Sequence, residues 1–206
     1  MALRTLVKIN HITNLSDARY CAGMGVDLLG FSLEQDQPHY IDPQAFAEIT
    51  DWVSGPGLVG EFENYNAQEI AETLGNHHLD MIELTEPGMI NEVSLLGKPM
   101  ILKMNRDDYS SADELMAELS RVRDLCEFVR ITSDQETTPD PDILEKMGAI
   151  SPLVISFGIT LKNLDRLIGI KGVRGLALDG QPESKVGFKD YDYLADILEA
   201  LESEED

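Results

Sequence analysis

The sequence predicts an α/β chain folded as one (β/α)8 TIM barrel, and three observations carry that expectation. Eight short runs rich in β-branched and aliphatic residues recur along its whole length. Longer amphipathic stretches separate them, and such crossovers make a parallel sheet covered on both faces. The turn after the first run, Asn10-His11-Ile12-Thr13-Asn14, lacks the glycines that open a nucleotide-binding sheet. Open sheets average about five or six strands, so eight favour closure into a barrel.

The strand runs are residues 5–10, 27–33, 58–62, 81–84, 100–104, 128–132, 153–156 and 175–178. Helical patterns lie between them, among them 16–24, 43–53, 67–74, 112–125 and 190–201. Asp42-Pro43 sets an N-cap ahead of a first-turn proline, and Ser111 precedes Ala112-Asp113-Glu114, with acids in the first turn. The chain has 206 residues, 43% of them hydrophobic, which suits one sizeable core. Residues 1–206 therefore read as one domain, with an acidic C-terminal tail at about 199–206 expected to fray.

Charge excludes several classes of partner. Thirty-eight acidic side chains against 16 basic ones give a net charge of -22. That field repels nucleic acid and anionic membrane surfaces, and much of it solvates outer helix faces. No segment has the apolar length of a membrane span, and the N-terminal residues run straight into a strand, so a cytoplasmic protein is expected. Cys21 and Cys126 are far apart and read as buried small hydrophobes rather than a zinc site or disulfide.

Barrel chemistry sits at the C-terminal ends of the strands. Those ends carry Asn10 and His11, then residues 34–39, 61–64, 83–86, Asn105, 132–134, 156–158 and 179–181. His11 reads as a hydrogen-bonded structural residue or as a base, the former being the commoner role for a lone histidine beside a strand. His77 and His78 lie in a polar turn at the other end of the barrel and read as solvated. Alternation along a strand points some of Glu61, Glu63, Glu83 and Glu86 inward. An ion network with Lys8, Lys103 and Arg130 is favoured over a cation or amine site, since buried acids need partners. No cluster has metal-site spacing, and no cofactor is implied.

Several of these segments have a familiar wording. Val7-Lys8-Ile9-Asn10-His11-Ile12-Thr13 resembles the KICGIT opening of phosphoribosylanthranilate isomerases. Leu29-Gly30-Phe31 followed by Pro38-His39-Tyr40-Ile41 is similar to that family's LGF…SPRYV. Val59-Gly60-Glu61-Phe62-Glu63-Asn64 resembles VGVFVN, and Ile82-Glu83-Leu84-Thr85 falls where the family has VQLH. Phe157-Gly158-Ile159-Thr160 with Asn163 resembles GGLTPEN, and the stretch from Gly175 through Gly187, Lys189 and Asp190 resembles GVDVSSGVE…PGVKD. The matches run in order along essentially the whole chain.

The resemblance implies an Amadori rearrangement of a phosphosugar amine, run by one general acid and one general base without metal or organic cofactor. The family's base, the cysteine of KICGIT, falls on Asn10, whose amide has no proton-transfer chemistry near neutral pH. Its acid, an aspartate closing the sixth strand, falls among Arg130, Ile131 and Thr132; Asp134 lies about 6–7 Å further on and is a weak substitute. The carboxylate-holding arginine of SPRYV is His39 here. The glycine loop GGTG becomes Glu136-Thr137-Thr138-Pro139. DVSSG reads Ala177-Leu178-Asp179-Gly180-Gln181, which sets a carboxylate where the family's phosphate sits. At an effective dielectric of about 20 and about 4 Å, each unit of such repulsion costs roughly 4 kcal/mol. Gly158 and the start of the seventh helix remain as a partial anion cradle.

A family member that has lost isomerase activity is therefore expected, a silent or repurposed barrel with poor affinity for phosphosugars. An enzyme of altered chemistry built on His11, Glu83 and Asp179 and an active isomerase with relocated groups, His11 and Asp134, stay open beside it. His39, Asn64, Glu83, Gly158, Asp179 and Gly180 are the candidate contacts for a small molecule at the mouth. A monomer or homodimer is expected.

Overall fold

The computed structural model describes residues 2–135, 137–180, 183–185, 188–189 and 192–203, the backbone alone for those between 183 and 192. Eight parallel strands close a barrel in sequence order, β1 (Leu6–Asn10), β2 (Leu28–Ser32), β3 (Gly57–Phe62), β4 (Met81–Leu84), β5 (Met100–Asn105), β6 (Phe128–Thr132), β7 (Leu153–Ile155) and β8 (Val173–Asp179). Helices α1 (Leu15–Gly23), α2 (Pro43–Thr50), α3 (Ala67–Leu74), α4 (Ile90–Ser94), α5 (Ala112–Val122), α6 (Pro141–Gly148), α7 (Leu164–Ile168) and α8 (Asp192–Ala200) follow the strands in turn. The seam is the β1–β8 ladder, paired from Leu6↔Gly175 to Asn10↔Asp179. The expected class and strand order hold, with ends shifted by a residue or two.

Helix boundaries follow their caps. Asp42 accepts a hydrogen bond from Ala45 N at 2.8 Å ahead of Pro43, and Ser111 accepts one from Glu114 N at 3.2 Å. Helices expected over 43–53 and 112–125 end earlier, at Thr50 and Val122. An antiparallel hairpin, β9 (Glu183–Lys185) with β10 (Phe188–Lys189), follows β8 and was not expected from the pattern. In the described part of the tail, Leu201 is buried, Glu202 bridges Leu3, and Ser203 N donates to Ala2 O at 3.0 Å. Residues 204–206, Glu136, Gln181, Gly187 and Asp190 lie outside the described residues.

Strand alternation sorts the core into two layers. Val7, Ile9, Val129, Ile131, Leu176 and their like face the helices and form the outer core. Leu28, Val59, Ile101, Phe128, Val154 and Ala177 fill the floor of the lumen. One step further along each strand, towards the mouth, the inward positions become Lys8, Glu61, Glu83 and Arg130, all buried. An apolar floor thus carries an ionic layer, and the site lies above it. Among the described residues no helix is long and apolar enough to cross a membrane.

Candidate functional site at the barrel mouth

Lys8 is wholly buried, and its three ammonium donors have three acceptors. It donates to Glu61, reaches Asn10 Oδ1 at 2.6 Å, and pairs with Glu83 Oε2 at 3.2 Å. Glu83 in turn accepts from Arg130 Nε at 3.1 Å and from Nη2, while Arg130 Nη1 reaches Ser156 Oγ at 3.3 Å. Burial pushes the Glu83 carboxyl up, but Arg130 and Lys8 outweigh it and hold it well below the usual range. Two cations and two carboxylates make this layer neutral. Glu63 pairs with Lys103 at 2.8 Å nearer the rim. The network expected from the sequence is therefore present, though Glu86 takes no part: it caps the turn after β4 through Gly88 N.

Room for that layer comes from Gly30. A Cβ there would collide with the Glu61 carboxylate and stand 2.8 Å from Lys8 Nζ. Glycine on β2 leaves the space that the ion pair occupies.

Above the layer, Asn10 is closed in from both sides. Its Nδ2 donates to Asp179 Oδ1 at 2.9 Å while its Oδ1 accepts from Lys8, and it is wholly buried. His11 follows in a left-handed backbone conformation, φ 54°, which suits the glycine of the similar family motif better than a histidine. Its Nδ1 lies 3.5 Å from Asp179 Oδ1 and its Nε2 3.7 Å from Glu61 Oε2. Burial lowers its basicity, yet the bond to Asp179 and the charges of Glu61 and Asp179 raise the net value. The Asp179 carboxyl is correspondingly held low: desolvation opposes its charge, and His11 and Asn10 outweigh that penalty. His39 stacks on His11, ring centroids 4.9 Å apart. Asn10, His11, His39 and Asp179 thus meet at one point.

The other expected contacts are occupied differently. Glu83 is 2% exposed and serves as the hub of the ionic layer, paired with Arg130 and Lys8. Asn64 gives its backbone N–H to Glu34 at 2.7 Å, where the N–H groups of Glu63 and Tyr65 converge at 2.8 and 2.7 Å. That carboxylate in a nest of backbone donors is a fixed tie between two loops, and nothing local in the sequence signals it. Asp134 accepts from Asn105 Nδ2 at 2.8 Å, and its own N–H goes to Asp107. Gly158 has φ 60°, and a Cβ there would overlap the Thr137 carbonyl, so the loop after β6 takes the space beside it. The Gly180 N–H donates to Asn10 O at 3.2 Å, a donor spent inside the protein. Helix α7 has only five residues, too few for a strong anion-binding terminus.

On β6, Arg130 faces the lumen and Ile131 the outer core, so Thr132 shares the inward side. No carboxylic acid closes that strand.

His77 corrects the sequence reading. It is buried, its Nδ1 lies 2.8 Å from Thr73 O, and it packs edge-on against Phe46; the neighbouring His78 is exposed. Cys126 stands just before β6 with its thiol pushed up to about 11 by burial, and Cys21 is buried in α1, so neither is a reactive thiolate. No group of three or more His, Cys, Asp or Glu gathers as a metal site among the described residues.

The chain is similar in sequence and in fold to known proteins. No family model matches the chain. The N-(5'-phosphoribosyl)anthranilate isomerase of Maridesulfovibrio salexigens is 26% identical over 202 residues, covering 95% of this chain and 98% of the relative. That of Rhodospirillum rubrum is 24% identical over 214 residues, covering 96% and 97%. Among solved structures, phosphoribosylanthranilate isomerase from Thermotoga maritima superposes with a TM-score of 0.79 over 96% of this chain and 98% of that one. Its 20% identity makes that a likeness of fold.

Proposed function

We infer that this chain, which belongs to the phosphoribosylanthranilate isomerase family, has kept the family's barrel and given up its isomerisation. The observation that carries this reading is the closed state of Asn10. A group that must take a proton from substrate needs a free basic atom at the mouth, and both polar atoms of this amide are bonded inside the protein. Asp179 adds a fixed charge of the wrong sign for a phosphate dianion, and the Gly180 N–H is already spent. A silent or repurposed barrel that binds no nucleic acid accords with a net charge of -22. The test is genetic and enzymatic together. Purified protein gives no isomerase turnover above background, and the unmodified gene fails to rescue a tryptophan auxotroph lacking the enzyme. Rescue would sink the reading and point to His11 and Asp134 as the relocated pair.

The His11–Asp179 pair supports a second reading, proton-transfer chemistry on a different small molecule. A strained backbone and a carboxylate-oriented imidazole are features that active sites share. A neutral or cationic compound that raises the melting temperature of the protein, and fails to do so with His11→Gln, would favour it. Equal stabilisation of both proteins counts against it.

A further inference from the structure

The geometry points to a second small-molecule site outside the barrel wall, built to take a compact apolar carboxylate between α5 and α6. A cavity of about 300 Å³ lies there, at the small end of the about 300–1,000 Å³ typical of ligand pockets. Leu115, Ile131, Leu144, Met147 and Phe157 line its apolar part. Ile131 faces this side of β6 while Arg130 faces the lumen, so β6 stands between the cavity and the ionic layer.

Arg106 gives the cavity its chemistry. Its guanidinium lies over the Phe157 ring, 5.6 Å from the centroid, and is about a third exposed. The nearest carboxylate, Asp107, stands 3.7 Å from Nε, beyond hydrogen-bond distance. Asp107 is itself engaged, accepting from Ser133 Oγ at 2.7 Å and Asp134 N at 2.8 Å. Among the described residues the Arg106 guanidinium donates no hydrogen bond. A planar fork of donors, pinned on a ring at the edge of a cavity with one apolar side, matches the two oxygens of a carboxylate. The N-cap Ser111 and the first residue of α5, Ala112, also line the cavity, so the N-terminus of an 11-residue helix faces the same space. Asp107 and Asp140 also line the cavity, but each is engaged, Asp107 with Ser133 Oγ and Asp134 N and Asp140 with Asp142 N at 3.0 Å, which leaves Arg106 as the cation free to take an anion there. The small volume admits a single ring or a short branched chain, and the apolar wall rewards its burial.

Calorimetric titration of phenylacetate into the full-length protein tests the proposal. Saturable one-to-one binding is expected. Phenylacetamide, equal in shape and uncharged, should bind about ten-fold more weakly or worse, because a charge-assisted pair is lost. Arg106→Gln should show the same loss for phenylacetate, and Ala112→Leu, which fills the cavity without disturbing helix propensity, should remove binding. His11→Gln should leave the affinity unchanged, which separates this site from the mouth. No saturation with phenylacetate, equal affinity for the amide, or unaltered binding by Arg106→Gln would overturn it.

Discussion

Lys8→Met should lower the stability of the barrel by about 3–5 kcal/mol, the largest effect expected of any single change here. Its ammonium is wholly buried and serves Glu61, Glu83 and Asn10 at once. Methionine fills a similar volume, so the loss is electrostatic: Glu61 keeps only the weak donor of His11, and Glu83 keeps Arg130 alone. For a chain of this size each kcal/mol moves the melting temperature by about 2–4 °C, so a fall of about 10 °C is expected in thermal unfolding followed by circular dichroism. Adding Glu61→Gln should recover part of it, since the uncompensated charge goes. The same layer sets the acid limit. The folded-state Glu83 carboxyl is held below its unfolded value, so its contribution is present above the ordinary glutamate value of about 4.3 and is lost as pH falls through the lower folded one. A Lys8→Met protein within about 1 kcal/mol of the parent would show that the network does not hold the lumen.

Asn10→Cys should leave isomerase turnover at background, even though it restores the thiol found in the family motif. General acid and general base each contribute about 10²–10⁴-fold, so a chain lacking both is short by about 10⁴–10⁸-fold, and the thiol returns one factor at most. The inward side of β6 still ends in Thr132 rather than an acid. Asp179 would lose the amide donor of residue 10 and stand as a freer negative charge where the phosphate has to sit. Steady-state assays of the single variant, and of Asn10→Cys combined with Thr132→Asp and Asp179→Ser, read the deficit stepwise. Turnover by the single variant near that of an intact family member would refute this account of the mouth.

The barrel itself was legible from the sequence, because element type is a local property. Period-2 runs such as Leu6–Asn10 and Phe128–Thr132, and caps such as Asp42 and Ser111, are written within a few residues. The absence of acid-base groups at Asn10 and Thr132 was equally legible, since side-chain identity needs no coordinates. The ion layer was legible only in outline. Which carboxylate meets which cation depends on strand register and on contacts across the lumen: Glu83 on β4 meets Arg130 on β6, two strands apart. Gly30 looked like part of a motif, and only packing shows that its missing side chain houses the Lys8–Glu61 pair. The nest around Glu34 joins backbone groups about 30 residues away, and His77 is buried because α2 brings Phe46 against it. The cavity beside Arg106 is assembled from α5, α6, Ile131 of β6 and Phe157, segments far apart in the chain. Periodicity, caps and residue chemistry thus fixed the barrel and what its strand ends lack. Which charges are spent on one another, and which are left free, was decided by long-range packing, because a partner's identity is set in space rather than along the chain.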